Sequence, residues 1–330
     1  MVARLGTDAT RFWRVFDLLT RESLDFQPGG GSPRFSGICR DGTPWQFCCV
    51  IGSQSAPSVR FLTEVGPPGA PLRTRTALTV SRIVEALDVL GIPNQDNAAR
   101  VLAAICPPDD DHIAGLWVGF ALDSSCRPRL RLYANNGWGD ATERWLRLIA
   151  ALRQLEAGRF GAALQPLLPL LVPVFSPAGL AVTLGSQTPL CKLYLRPFAP
   201  PWTAVRAVAT SVLGAASSKF ITAIETGLEA SLEALPERSL VLSTAGGAQG
   251  GPLDLKLDFC GHCLFEEDSK PERLIERLGR SLRLSTSPYE AIRHDLGQPG
   301  LRLPHAMLAF IGIGADTFDA HRINVYITPP

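Results

Sequence analysis

The chain has 330 residues, 46% of them hydrophobic and 19% charged, with a formal net charge of +1. These are the proportions of a soluble globular protein of one large domain or two, long enough to bury a core. So small a net charge excludes a bulk basic field for nucleic acid and an acidic one for a basic partner, and any concentration of positive charge has to come from placement.

Around Arg4, Asp8, Arg11 and Arg14 there is no continuous apolar core of the kind a signal peptide needs. A helix is predicted over 10–19, with Phe12, Trp13, Phe16 and Leu19 on one side. Gly29-Gly30-Gly31-Ser32 follows no strand and opens no helix, so it reads as linker rather than phosphate cradle. Strands at 45–51 and 58–65 then form a hairpin about the turn 52–57. Helices over 76–90, with Leu78, Ile83, Leu87 and Leu90 and a stop at Gly91, and over 97–105 follow. Asp109-Asp110-Asp111 comes after two prolines and before a strand, which makes it a solvated turn and not a helical metal-diphosphate motif.

The second hairpin pairs 116–122 with 129–135, around Asp123-Ser124-Ser125. A helix over 141–157 starts at Asp140 with Glu143 three residues on, a capping box, and carries Trp145, Leu148, Ile149, Leu152 and Leu155 as its stripe. The most apolar run, 160–184, is broken by Pro166, Pro169, Pro173 and Pro177. It therefore reads as a short helix, a linker and a strand, not a membrane span. A third hairpin (179–185 with 190–197) precedes helices over 202–213 and 219–235. A fourth (239–244 with 253–260) precedes a helix that opens at Ser269-Lys270-Pro271-Glu272, and a fifth pairs 305–313 with 322–328.

The eight cysteines are scattered, several of them in apolar strands, which suits reduced thiols in a cytoplasm. Cys260-Gly261-His262-Cys263 ends a hairpin strand, so neither a redox motif nor a zinc site is read from it.

The second strands of the hairpins repeat one another. They are Ser58-Val59-Arg60-Phe61-Leu62-Thr63-Glu64, Arg129-Leu130-Arg131-Leu132-Tyr133-Ala134-Asn135, Cys191-Lys192-Leu193-Tyr194-Leu195-Arg196-Pro197, Asp254-Leu255-Lys256-Leu257-Asp258-Phe259-Cys260 and Arg322-Ile323-Asn324-Val325-Tyr326-Ile327-Thr328. The central polar position reads Arg60, Arg131, Lys192, Lys256, Asn324, at intervals of about 60–70 residues. Two residues on, it reads Leu62, Tyr133, Tyr194, Asp258, Tyr326. The expected organisation is one domain, 1–330: a helix near 10–20, then repeats over about 45–105, 114–171, 179–235, 239–296 and 305–330.

Five hairpins separated by helices exclude a doubly wound parallel sheet. The predicted fold is α+β: a ten-stranded antiparallel barrel of five hairpin repeats with a polar lumen, ringed by helices. Leu130, Leu132, Leu193, Leu195, Leu255, Leu257, Ile323 and Val325 would face the helices, and the polar positions would face inward. Four cations crowded into one enclosed space lose hydration and repel each other, at several kcal/mol apiece. Asp258 and Glu64 are too few to balance them, so the missing counter-charge is best supplied by an anion of more than one charge, such as a diphosphate. Tyrosines beside those cations can shield a carbocation while their hydroxyls bind phosphate oxygen.

Five strand pairs with Lys/Arg-x-Tyr at matching places resemble the aromatic prenyltransferases of the ABBA or PT barrel, over roughly 45–329. Gly42-Thr43-Pro44-Trp45-Gln46-Phe47, followed by Pro57 and the Arg60 strand, is similar to the dimethylallyltryptophan synthase branch. The resemblance implies transfer of an allylic group, dimethylallyl or geranyl, from its diphosphate to an aromatic acceptor, by Friedel-Crafts or heteroatom alkylation. It implies that Arg60, Arg131, Lys192, Tyr194, Lys256, Asn324 and Tyr326 hold the diphosphate, and that Tyr133, Tyr194, Tyr326 and Trp117 form the cation shield and acceptor pocket. It implies no cofactor and no need for Mg²⁺. The expected protein is a cytoplasmic monomer or homodimer that binds a prenyl diphosphate and an aromatic acceptor, without nucleic acid or membrane.

The sequence departs from the branch at two places. Gln46 stands where the branch has the Glu that accepts the indole N–H, and an amide cannot take a proton. A phenol, another heteroaromatic ring or a peptide therefore stays open as acceptor, with Asp258, Glu64 or Asp254 as the base. Asp258 replaces the usual Tyr of the fourth repeat, where it either pairs with Lys256 or touches the acceptor. A barrel that binds an isoprenoid diphosphate without transferring it, or that cyclises it, is the second reading.

Overall fold

The structure, a computed structural model, describes residues 9–24, 36, 38–39, 42–52, 58–67, 69–93, 96–122, 128–184, 190–246, 253–264, 271–290, 308–315 and 321–327. The glycine-rich stretch 29–32, the hairpin turns, Cys126 and the Ser269-Lys270 helix start lie outside the described residues.

Ten strands follow one another around a closed antiparallel barrel. They are β1 (Trp45–Gly52), β2 (Ser58–Thr63), β3 (Leu116–Leu122), β4 (Pro128–Asn135), β5 (Phe175–Leu184), β6 (Leu190–Pro197), β7 (Leu240–Gly246), β8 (Asp254–Cys260), β9 (Leu308–Ala315) and β10 (His321–Ile327). Closure runs between the first strand and the last, with Cys48 opposite Tyr326 and Val50 opposite Asn324. Every strand then has two neighbours, so no backbone edge is left exposed.

The helices coat this wall. They are α1 (Ala9–Thr20), α2 (Leu72–Leu90), α3 (Asp96–Ile105), α4 (Ala141–Gln154), α5 (Gly158–Leu164), α6 (Leu168–Leu171), α7 (Trp202–Leu213), α8 (Ser217–Leu228), α9 (Gly261–Leu264) and α10 (Pro271–Leu282). The core lies between helices and barrel, and all eight outward residues expected from the strand pattern are buried in it. Under α1, Phe12 meets Phe61 edge-on at 5.5 Å and Phe120 at 5.4 Å. Phe61 and Phe120 sit opposite each other on β2 and β3, so a single aromatic cluster clamps the helix to the wall.

Several elements differ from the sequence expectation for local reasons. Trp13 is half exposed, and Val15 takes its place on the buried side of α1. Ile149 on α4 likewise faces outward, while Ala151 is buried. Helix α2 begins four residues early because its cap is tertiary: the Arg73 N–H donates to Asp110 at 3.1 Å from a turn distant in sequence. In the apolar run, the expected linker is helical. Pro166 and Pro169 each fall in the first turn of a new helical piece, where a missing N–H costs nothing. Strand β5 starts at Phe175 rather than 179, carrying Pro177 at an irregularity in its register with β6. Helix α8 stops at Leu228 because Glu229 turns left-handed, with φ 55°. Cys260 does end a strand, but Gly261 to Leu264 then make a helical turn, and neither Cys260 nor Cys263 is in a disulfide.

The stretch Trp202–Leu228 is long and apolar enough to cross a membrane, but half of its most apolar window is buried inside the molecule. It is a core element.

Candidate active site

Pairing across each hairpin follows one rule. The residue opposite each central polar position is small: Cys48 faces Arg60, Gly119 faces Arg131, Ala181 faces Lys192, Ser243 faces Lys256 and Gly312 faces Asn324. The second strands thus carry long polar side chains into the lumen, and the first strands leave them room. At Gly119 the room is needed, since a Cβ there would lie 2.7 Å from the Tyr133 ring.

The result is a cavity of about 390 Å³, within the usual range for a small-molecule site. Gln46, Arg60, Trp117, Arg131, Tyr133, Lys192, Tyr194, Asp258 and Tyr326 all line it. Lys256 and Asn324 lie behind that lining, and Glu64 lies behind Trp117.

Lys192 stacks over the Tyr194 ring at 5.0 Å, and Tyr194 leans on Tyr133 at 6.0 Å between ring centres. Arg131 donates through Nε to Thr183, its neighbour on β5, at 3.0 Å. Among the described residues no carboxylate lies within ion-pair distance of Arg60, Arg131 or Lys192. Burial and then repulsion from Lys256 hold the Lys192 amine well below the usual lysine range. Burial, then neighbouring Tyr133, raises the Tyr194 phenol, so it is a hydrogen-bond donor and not a phenolate.

Lys256 is only 1% exposed. Its amine sits 2.6 Å from Asp258 Oδ1 and donates to the Tyr326 hydroxyl at 2.6 Å. Asn324 Nδ2 donates to the same hydroxyl at 3.3 Å. Burial, then Asp258, pushes the Tyr326 phenol well up, so it keeps its proton while accepting both bonds. Asp258 thus does pair with Lys256, and it also lines the cavity.

Glu64 is buried at the end of β2 and ion-paired with Arg75 of α2. Its carboxylate also accepts from Ser36 Oγ at 2.7 Å and from the Trp117 indole at 3.2 Å. Burial pushes it up to about 7 against the pull of Arg75 and these donors. The group steadies Trp117 rather than facing the cavity. Gln46 faces it as an amide, its Nε2 4.0 Å from Cys39 Sγ.

Residues beyond the sequence proposal also line the cavity: Cys48, Asn135, Arg144, Arg196, Val241 and Phe310. Arg196 and Asn135 were legible as the next inward positions on β6 and β4. Arg144 was not, because it reaches in from α4, braced by Ser176 at 3.2 Å. Asp109 pairs with His112 at 2.7 Å and Asp110 caps α2, so the acidic run is a structural turn. Among the described residues no three His, Cys, Asp or Glu side chains gather as a metal-binding group.

No protein-family model and no curated protein matches the sequence. Solved structures do match in three dimensions. A 5-dimethylallyltryptophan synthase from Streptomyces coelicolor is 19% identical with a TM-score of 0.77, over 98% of this chain and 91% of that one. A 6-dimethylallyltryptophan synthase from Micromonospora olivasterospora, in complex with DMASPP and Trp, is 20% identical with a TM-score of 0.77, over 98% and 92%. The prenyltransferase PriB, in ternary complex with L-tryptophan and dimethylallyl thiolodiphosphate, is 17% identical with a TM-score of 0.69, over 98% and 90%. At such identities the likeness speaks for architecture, and the chain has the helix-ringed ten-stranded barrel fold of the dimethylallyltryptophan synthases, the ABBA or PT barrel.

Proposed function

We propose that the protein is an aromatic prenyltransferase that moves a dimethylallyl or geranyl group from its diphosphate to an aromatic small molecule or peptide. The carrying observation is the cluster of Arg60, Arg131 and Lys192 beside Tyr133 and Tyr194 in one cavity, with no carboxylate within ion-pair distance of the three cations among the described residues. The whole chain serves this one domain.

In this reading the cations and the Tyr194 hydroxyl take up charge on the diphosphate as its bond to the allylic carbon breaks. The electron pair leaves with the diphosphate, and the allylic cation is shielded by the faces of Tyr133, Tyr194 and Tyr326. The acceptor, resting near Trp117 and Gln46, supplies the electrons of the new bond and then loses a proton. Asp258 is the base best supported among the three candidates, being an ionisable carboxylate that lines the cavity. Positive side chains do the work a metal would otherwise do, so Mg²⁺ is not required.

The test is to incubate dimethylallyl or geranyl diphosphate with L-tryptophan, other indoles, phenols and aromatic peptides in EDTA. Pyrophosphate release that depends on an acceptor, with a prenylated product in the mass spectrum, is the expected result. Donor binding with no transfer to any acceptor would favour the binding or cyclising barrel instead.

A further inference from the structure

The lumen is electrically lopsided. On β8–β10 both inward cations carry their own carboxylate: Lys256 is 2.6 Å from Asp258, and Arg322 is 3.1 Å from Asp254. Strand β9 between them makes room for both pairs with glycine. A Cβ at Gly312 would overlap Asp258 Oδ1, and one at Gly314 would stand 2.9 Å from Arg322 Nε. On β2, β4 and β6, Arg60, Arg131 and Lys192 have no carboxylate within ion-pair distance among the described residues.

A buried ammonium already held by a carboxylate and a phenol has little left to offer a ligand. We infer that Asp258 withdraws Lys256 from anion binding, so that the diphosphate is seated on the β2–β6 wall by Arg60, Arg131 and Lys192, leaving the β8–β10 wall neutral for the acceptor. Asp258 is then a specificity-determining residue: it decides on which side of the lumen the allylic bond breaks. This rests on the transferase reading of the same cavity.

The experiment is a double-mutant cycle on the full chain, titrating inorganic pyrophosphate by calorimetry and confirming folding by thermal melting. Asp258→Asn frees Lys256 and should tighten pyrophosphate binding about tenfold, the effect of one added charged hydrogen-bond donor. Lys256→Met alone leaves a buried carboxylate unpaired and is expected to fold poorly. The doubly neutral Lys256→Met with Asp258→Asn removes both charges together, should fold, and should bind pyrophosphate within about threefold of the natural protein while losing transfer.

If the double variant loses pyrophosphate binding about a hundredfold, Lys256 is a ligand and the inference fails while the transferase reading stands. Unchanged affinity in Asp258→Asn would also overturn it. Failure of the natural protein to bind pyrophosphate at all would overturn both.

Discussion

The β2–β6 wall and the β8–β10 wall are built from the same repeat, yet they behave oppositely toward charge. In the first, Arg131 and Lys192 are followed two residues on by Tyr133 and Tyr194, whose rings pack beside each other and bring no carboxylate. In the second, Lys256 is followed by Asp258, which neutralises it. One position in one repeat therefore separates a wall that demands an anion from a wall that satisfies itself. A repeat fixes where a side chain points; the residue two places on decides whether its charge is available.

The largest expected effect comes from the glycines that make room on each side. Gly312→Ala drives a methyl into Asp258 and to 3.2 Å from Lys256 Nζ. It should cost about 3 kcal/mol or more in urea unfolding, because a buried ion pair must separate. Gly119→Ala meets the ring edge and hydroxyl of Tyr133 and no ion pair, and should cost about 1–2 kcal/mol by the same measurement. Equal costs would erase the difference between the walls.

Next is Lys192→Met, which should lower pyrophosphate affinity about a hundredfold in calorimetry, the usual loss when a buried charged partner is truncated. Its melting temperature should hold or rise, since a crowded cation is gone. A large fall in stability would mean Lys192 has a structural partner.

A smaller effect should appear with pH. Burial and Lys256 lower the Lys192 pKa in the empty lumen, and a bound anion raises it again. Below the lowered value the amine is charged with or without ligand, and affinity is full. As pH rises from there toward the bound-state value, binding takes up a proton and weakens by up to about tenfold per unit. Lys192→Arg stays charged and should lack this slope, while the ligand's own titration is common to both proteins. Calorimetry in buffers of different ionisation heat measures the proton uptake directly.

The smallest effect is a control outside both walls. The Asp140 side chain accepts from the Glu143 N–H at 2.9 Å in the capping box of α4. Asp140→Ala should cost about 1 kcal/mol and leave pyrophosphate affinity unchanged.

Much of this was legible in the sequence because period-two alternation in a strand is a strong signal, and five copies of it fixed the inward positions of Arg60, Arg131, Lys192, Tyr133 and Tyr194. Cross-strand partners were not legible, because register depends on turns and closure rather than on either strand alone. Hence Gly312 and Ser243 gave no warning of what they face. Trp13 and Val15 were exchanged because a helix period cannot tell which edge of a broad apolar stripe meets the barrel. The Glu64–Arg75–Trp117 contact joins β2, α2 and β3, and no local pattern encodes such a meeting. Arg144 enters the cavity from a helix, which strand periodicity cannot report.

Closure of the barrel between β1 and β10 has a consequence for assembly in time. Cys48, in the first strand, lies opposite both Arg60 and Tyr326, the latter in the last. The cavity is therefore finished only when the two ends of the barrel sequence meet, a contact of very high sequence separation and a slow one to make. Until then β1 and β10 present open edges, the surfaces most prone to pair with another chain. An anion bound across the finished lumen favours the closed form by mass action. Donor diphosphate present during refolding should accordingly act as a template, raising the yield of closed barrel over aggregate.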